Sequence, residues 1–155
     1  MNIKWKPFLI SLGIPLAAGG LAALLSGGMD NYAYLNQPPL APPGWVFPVV
    51  WSILYLLMGY ASYRVVFSEG SFPQIRRALT LYGVQLFLNF LWPILFFRFQ
   101  WFLAAFFLLL LLWAAILATI HAFSKVDEKA GNLLIPYLLW VSFAGYLNLG
   151  VALLN

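Results

Sequence analysis

Five long apolar runs, each almost free of charged residues, most constrain how this chain can fold. They cover residues 7–26, 45–67, 79–97, 101–123 and 133–154, with short polar or proline- and glycine-rich breaks between them. Each is close to the ~20 residues that a helix needs to cross a bilayer. Lipid offers no partner for unpaired backbone groups, and no run shows the alternation of a barrel strand. We therefore predict an all-α integral membrane protein, a single domain over residues 1–155 built as a five-transmembrane-helix bundle.

The composition excludes several kinds of site. Only 8% of the residues are charged, there is no cysteine, and His121 is the single histidine. These counts exclude thiolate and multi-histidine metal sites, and the sequence has no Ser/His/Asp set or phosphate-binding glycine loop. The basic residues stand at the ends of the runs rather than in a patch, so we expect no nucleic-acid partner. His121 is interpreted as an interfacial residue, with haem ligation as the alternative.

The basic residues are distributed unevenly between the two ends of the predicted bundle. One end has seven of them and the other has only Arg98. Cytoplasmic loops carry an excess of Lys and Arg, which predicts a multi-pass cell-membrane protein with a cytoplasmic N-terminus. The C-terminus and the first loop, residues 27–44, are then outside. The first run could pass for a signal peptide, but Pro15 and several glycines favour a retained, packed helix. The basic residues at the N-terminal end are Lys4, Lys6, Arg64, Arg76, Arg77, Lys125 and Lys129.

A proline-rich loop runs directly into the second apolar run. It contains Pro38-Pro39 and then Pro42-Pro43-Gly44, and Trp45 and Trp51 follow. Proline fixes φ and removes an amide donor, so we expect a shaped rim rather than a flexible tether. Tryptophan favours sites where its ring is buried and its N–H has a partner. A stiff loop that leads into aromatic residues predicts a lid over a pocket for a flat apolar ligand.

Three of the runs carry aromatic residues together with polar or small residues on one helical face. In the second run the face comprises Trp51, Tyr55 and Gly59. In the third it comprises Tyr82, Gln85, Asn89 and Trp92. In the fifth it comprises Tyr137, Trp140, Ala144 and Asn148. Polar side chains at membrane depth either line a cavity or join helices by hydrogen bonds, and aromatic stripes often only pack. Three such faces in one chain favour a shared cavity.

Small residues recur at spacings of four. Gly19 and Ala23 form one such row, and Ala114, Ala118 and Ala122 form another. Rows of this kind let helices approach closely. They serve either packing within the chain or a homodimer, and the sequence leaves both open.

Three separated motifs resemble the TspO/translocator protein family, also called peripheral-type benzodiazepine receptors. The first covers the loop and the second run: Tyr32, Leu35, Pro38, Pro42-Pro43, Trp45, Trp51, Leu54-Tyr55, Met58-Gly59-Tyr60 and Ser62-Tyr63. The second lies in the third run: Leu81-Tyr82, Gln85-Leu86, Leu88-Asn89, Trp92-Pro93 and Phe96-Phe97. The third lies in the fifth: Ala130, Leu133-Leu134, Pro136-Tyr137-Leu138, Trp140, Phe143-Ala144 and Leu147-Asn148. Together they extend over most of the chain, from about Tyr32 to Asn148.

The resemblance implies a five-helix bundle, usually dimeric, that binds porphyrins such as protoporphyrin or haem in a cavity under the first loop. The porphyrin is a ligand, and no cofactor is required. Some family members bind sterols or synthetic ligands, and bacterial relatives degrade protoporphyrin in light, so binding, transport and a photo-oxidative enzyme stay open. Trp51 and Trp140 match the tryptophans implicated in porphyrin binding and breakdown. The full set of expected ligand-binding residues is Trp51, Tyr55, Asn89, Trp92, Trp101, Tyr137, Trp140, Ala144 and Leu147.

The sequence departs from the family pattern at several positions. Asn31, Gln37 and Leu40 stand where family members commonly have Trp, a basic residue and an aromatic residue. The loss of the basic residue weakens the expectation that the loop pairs with a porphyrin carboxylate. No Lys or Arg follows Tyr146, so the cholesterol motif of the animal proteins is absent there. A looser match to that motif is formed by Leu57, Tyr60 and Arg64.

Overall fold

The computed structural model describes residues 2–28 and 32–155, and within them it contains helices and no strand. Five helical segments are long and apolar enough to cross a membrane, which confirms the predicted fold class. The fifth segment consists of a short helix, α5, and a long one, α6. The bounds are α1 Trp5–Leu25, α2 Val46–Val66, α3 Phe72–Pro93, α4 Phe102–Val126, α5 Glu128–Leu133 and α6 Ile135–Leu154. Asn31, one of the departures from the family pattern, lies outside the described residues.

Helix α3 begins several residues before its apolar run. Ser71 is its N-cap: Ser71 Oγ accepts from the backbone N of Gln74 at 3.3 Å, and Gln74 Oε1 accepts from the backbone N of Ser71 at 3.0 Å. This reciprocal capping box satisfies two amides that the helix itself cannot pair. Pro73, at the start of the helix, has no amide to leave unpaired. Helix α3 therefore begins with polar turns, which contain Arg76 and Arg77, and passes from them into the apolar run without a break.

Asp127 joins the start of α5 to α2. Its Oδ1 accepts from the backbone N of Lys129 at 3.0 Å, as expected of a carboxylate at a helix start. Its Oδ2 accepts from Arg64 Nε at 2.9 Å. Arg64 Nη1 also donates to the Tyr60 hydroxyl at 3.2 Å. One carboxylate therefore caps α5 and holds it against the basic end of α2.

Helix α1 lies on the outside of the bundle, with only Pro15 and Ala22 fully buried. It reaches α2 closely because Gly59 has no side chain. A Cβ added there would lie 2.6 Å from both Leu12 Cα and the backbone O of Ser11. The rest of the bundle encloses a continuous apolar core around residues such as Met58, Leu112 and Ile116. The other helices therefore form the core, and α1 packs against the outside of it.

The proline-rich loop is fastened to the far end of α6. Asn36 N donates to Asn155 Oδ1 at 3.1 Å, and Asn155 Nδ2 donates back to the Asn36 carbonyl at 2.9 Å. The Tyr146 hydroxyl donates to the Pro39 carbonyl at 2.6 Å. Pro38 is buried against Gly150, where an added Cβ would lie 2.5 Å from the proline ring. The loop is therefore a docked rim, as its prolines predict.

Gln37 and Tyr32 stabilise the loop from within. Gln37 Nε2 donates to the Tyr32 carbonyl at 2.8 Å. The residue that replaces a basic side chain of the family is therefore engaged inside the loop. Burial raises the pKa of Tyr32 above its usual value, so its hydroxyl stays neutral under the loop.

Candidate functional site

A cavity of about 300 Å³ lies between α1, α2 and α3, at the end of the bundle where the first loop lies. Among the residues that the structure describes, its lining contains no Asp, Glu, Lys, Arg or His. The residues that line it are Leu16, Gly19, Gly20, Ala22, Ala23, Ser26, Gly28, Phe47, Pro48, Trp51, Ser52, Tyr55, Asn89, Trp92, Pro93 and Phe97. The described lining is therefore apolar except for a few hydroxyl, amide and indole groups.

The two sides of the cavity differ in chemistry. The α1 side consists largely of glycine and alanine, which leave the helix surface nearly flat. The opposite side carries Trp51 and Tyr55 of α2, stacked with ring centroids 5.7 Å apart and planes 27° apart. Ring faces favour contact with other flat π systems. The Tyr55 ring packs directly on Gly19, where an added Cβ would overlap it, so the two sides touch there and the free space lies around that contact. We call this cavity the slot.

A chain of hydrogen bonds holds the aromatic wall in place. The Tyr55 hydroxyl donates to Asn89 Oδ1 at 2.9 Å, and Asn89 Nδ2 donates to the Tyr137 hydroxyl at 2.7 Å. That hydroxyl donates in turn to Gln85 Oε1 at 2.7 Å. The chain links α2, α3 and α6 at membrane depth, where unpaired polar groups are costly. Asn89 therefore both lines the cavity and joins helices, whereas Gln85 is buried and joins helices only.

Trp92 is fixed in a similar way at the loop end of α3. Its indole Nε1 donates to Asn148 Oδ1 at 2.9 Å, and Asn148 Nδ2 donates to the Phe102 carbonyl at 2.8 Å. Asn148 is thus a buried partner of a cavity residue rather than an interfacial side chain. The ring of Trp92 is held rigidly against the cavity.

Of the nine residues expected to bind a ligand, four line the cavity: Trp51, Tyr55, Asn89 and Trp92. Tyr137 lies one hydrogen bond behind them, on Asn89. Trp140 is outside the lining and packs edge-on against Trp51, with centroids 6.5 Å apart and planes 86° apart. Its indole Nε1 is buried and has no hydrogen-bond partner among residues 2–28 and 32–155. Trp140 supports Trp51 from behind.

The three remaining residues of the expected set lie elsewhere. Ala144 is buried in the main core, and Leu147 is buried beside Tyr32 and Phe47 under the loop. Trp101 is 57% exposed at the start of α4 and stacks on Phe99. These three positions are not brought to the cavity.

Sequence reasoning missed the contribution of α1. Gly19 and Ala23 were singled out only as a packing row, yet together with Gly20 and Ala22 they form the smooth wall of the slot. Helix α1 is apolar on every side, so no stripe marks the face that points inward. The concentration of small residues in its second half was the available signal.

The cavity carries no conventional catalytic set. Its hydrogen-bonding side chains are hydroxyls, one amide and the indoles, and among the described residues no group of three or more His, Cys, Asp or Glu is arranged to hold a metal ion. In the described lining Tyr55 has the one ionisable side chain, and its hydroxyl is engaged with Asn89 Oδ1. The arrangement suits binding by stacking and apolar contact.

A bundle of five membrane-spanning helices, with a cavity between α1, α2 and α3, defines a helical integral membrane protein. The chain belongs to the TspO/MBR family, whose pattern matches residues 11–154. It is therefore a membrane protein of the TspO sensor and translocator type.

Relatives that cover nearly the whole chain come from bacteria and animals. The tryptophan-rich protein TspO of Chlorobaculum tepidum is 36% identical over 157 residues, which cover 100% of this chain and 99% of the relative. The tryptophan-rich sensory protein of Cereibacter sphaeroides is 39% identical, with 100% and 95% covered. The translocator protein of Bos taurus is 39% identical, with 96% and 89% covered.

Proposed function

We propose that this protein binds a flat tetrapyrrole, protoporphyrin or haem, in the slot beneath the first loop and acts as a sensor or translocator for it. The observation that carries the proposal is the pairing of a smooth glycine- and alanine-rich wall with the stacked Trp51 and Tyr55 rings. Once the two surfaces separate, a planar macrocycle inserted between them contacts the flat α1 surface with one face and the aromatic rings with the other.

The size of the cavity implies that a wall moves when the ligand enters. About 300 Å³ is at the lower end of the ~300–1,000 Å³ that ligand pockets occupy. A tetrapyrrole needs more room than that. Helix α1 is the least buried of the five spanning segments and forms one whole side of the slot. We therefore expect α1 to shift outward while the hydrogen-bonded α2–α3–α6 wall stays fixed.

Apolar contact alone supplies enough free energy for useful binding. Micromolar affinity corresponds to about 8 kcal/mol, which equals roughly 330 Å² of net apolar burial at ~25 cal/mol per Å². The two faces of a macrocycle offer more than this area, and the surplus offsets the cost of association. No metal or charged partner inside the slot is required.

The role of the tryptophans is tested by titration with protoporphyrin in the dark, with tryptophan quenching as the readout. We expect saturable micromolar binding, weakened about fivefold by Trp51→Leu because this change removes a stacked ring, which is worth ~0.5–1.5 kcal/mol beyond its area. Trp140→Phe should weaken binding less, about twofold, because that ring only supports Trp51. Binding that is absent, or indifferent to both substitutions, would overturn the tetrapyrrole assignment.

The porphyrin carboxylates are assigned to the mouth of the slot, beside Arg98. This is the one basic residue at the loop end, and its Nη1 donates to the Leu25 carbonyl at 3.1 Å, next to Ser26 of the lining. Arg98 is exposed, so its attraction for a carboxylate is modest. In this proposal Arg98 pairs with the porphyrin carboxylate, in place of the basic residue that family members commonly have at the position of Gln37.

Arg98→Gln should therefore weaken protoporphyrin binding about two- to fivefold, the range of exposed ion pairs. The dimethyl ester of protoporphyrin, which has no carboxylate, should bind the variant and the native chain equally. Equal losses for acid and ester would place the carboxylates elsewhere and would show that Arg98 acts through α1.

A photochemical function is the alternative that the contact between Trp51 and Trp140 favours, because adjacent indoles can serve as electron donors to an excited ligand. Illumination of the bound complex in air tests it. Loss of the porphyrin absorption bands that depends on Trp51 supports degradation, and an unchanged spectrum supports binding alone. The homodimer and the cytoplasmic N-terminus stay predictions.

A further inference from the structure

A second hollow lies at the opposite end of the bundle, between α2 and the α5–α6 segment. It measures about 430 Å³ and is separate from the slot, with which it shares no residue. Its floor is apolar and consists of Leu57, Leu133 and Pro136. We call it the α2–α5 groove. The proposed function makes no use of it.

The rim of the groove presents hydrogen-bond donors. It consists of Tyr60, Arg64, Lys129 and Asn132. Because Tyr60 accepts from Arg64 Nη1, its own hydroxyl proton is free to point at a ligand. In the described part of the chain, neither the Lys129 ammonium nor the Asn132 amide has a hydrogen-bond partner, and both are exposed. Four different donor groups therefore surround one opening.

The rim carries one uncompensated positive charge, which favours a ligand group with a single negative charge. Asp127 pairs with Arg64 at 2.9 Å and neutralises it, which leaves the ammonium of Lys129 uncompensated on the rim. Glu128 is adjacent to Lys129 on the helix, and neighbours at i and i+1 do not face each other. A ligand group that only accepts hydrogen bonds and carries one negative charge complements this set. A phosphodiester has both properties, and the lipid keeps its net negative charge only where the headgroup carries no cation, as in phosphatidylglycerol but not in phosphatidylcholine.

The depth of the groove matches a lipid whose headgroup lies at the membrane surface and whose acyl chain extends into the same leaflet. Leu57 precedes Arg64 by seven positions, which is about 10 Å along a helix. The charged rim therefore lies near the membrane surface while the floor lies at the level of the acyl chains. This end of the bundle holds seven of the eight basic residues, and juxtamembrane basic residues attract anionic lipids.

We propose that the α2–α5 groove is a binding site for one anionic phospholipid. The phosphate lies among Lys129, Tyr60 and Asn132, and the upper part of an acyl chain lies on Leu57 and Leu133. A sterol fits less well, although Leu57, Tyr60 and Arg64 match the loose cholesterol pattern, because its single hydroxyl leaves the Lys129 ammonium without an anion. The lipid bridges α2 and α5, the two elements that Asp127 already joins.

The test is native mass spectrometry of the full chain in a neutral detergent, with phosphatidylglycerol or phosphatidylcholine of identical acyl chains added. We expect one phosphatidylglycerol to bind with about fivefold preference, the effect of one basic residue near a membrane surface. Lys129→Gln should remove that preference. Lys125→Gln is the matched control, because Lys125 is exposed at the same end but outside the groove, and it should change nothing.

A second variant tests the apolar floor. Leu57→Trp should fill the groove and lower binding of phosphatidylglycerol although Lys129 is intact. Equal affinity for the two lipids, equal losses in the Lys129 and Lys125 variants, or displacement of the lipid by a sterol would each overturn the proposal. Neither substitution touches the slot, so a protoporphyrin titration of the same variants keeps the two proposals distinguishable.

Discussion

Gly20→Leu is expected to weaken tetrapyrrole binding by roughly thirtyfold or more. Gly20 lines the slot on its smooth side, and a Cβ added there meets no atom within 4 Å. The isobutyl group therefore extends into space that the ligand would fill, without a clash with the protein itself. The contact area that it takes from the ligand is worth about 2 kcal/mol, which corresponds to roughly thirtyfold in Kd. The dark quenching titration with protoporphyrin measures it.

Gly13→Leu is the matched control for this prediction. It lies on the same helix, its added Cβ likewise meets nothing within 4 Å, and it does not line the slot. Both substitutions replace a poor helix former by a good one, so neither should unfold α1. If the Gly20 variant binds as tightly as the Gly13 variant, the ligand does not lie between α1 and α2, and the proposed site is wrong.

Gly59→Ala should lower the stability of the protein by about 3 kcal/mol, which lowers the apparent Tm by roughly 6–12 °C. The added methyl would lie 2.6 Å from Leu12 Cα and from the Ser11 carbonyl, and both are backbone atoms that no rotamer change can move. Helix α1 must therefore separate from α2 along the length where they touch. Thermal unfolding in detergent, followed by circular dichroism, measures the change.

Gly83→Ala provides the comparison. Gly83 is inside α3, and a Cβ added there meets nothing within 4 Å. Alanine favours the helix by up to about 1 kcal/mol, so this variant should be as stable as the native chain or slightly more stable. A Gly59 variant that melts together with the Gly83 variant would mean that α1 is held loosely enough to absorb the methyl group.

The spanning helices could be predicted because bilayer thickness fixes the length of an apolar run. Their ends could not be predicted as well, because different forces set them. The first turns of α3 are polar, and the capping box of Ser71 and Gln74 determines where that helix starts. The apolar pattern of the sequence does not indicate these capping hydrogen bonds. The division of the fifth segment into α5 and α6, just before Pro136, was missed for the same reason.

The lining of the candidate cavity was predicted only in part, and the reason is geometric. The faces of the second, third and fifth runs do point inward, and Asn89, Tyr137 and Asn148 are buried and bonded as polar residues at membrane depth must be. A helical wheel shows which side faces the core, but it does not show which inward residues are covered by others. Trp140 is hidden behind Trp51. Only the three-dimensional packing shows which inward-facing residues line the cavity and which lie behind them.

The hydrogen bonds that fasten the first loop to the C-terminal half of α6 and to Asn155 constrain the order in which this protein can fold. Asn36 and Asn155 are 119 positions apart, and the bond from Tyr146 to Pro39 spans 107. A chain that enters the membrane from its N-terminus has the walls of the slot before it has anything to which the loop can be fastened. The loop therefore docks last. During biosynthesis the loop stays undocked until the final helix arrives, and resistance of the loop to protease reports that arrival.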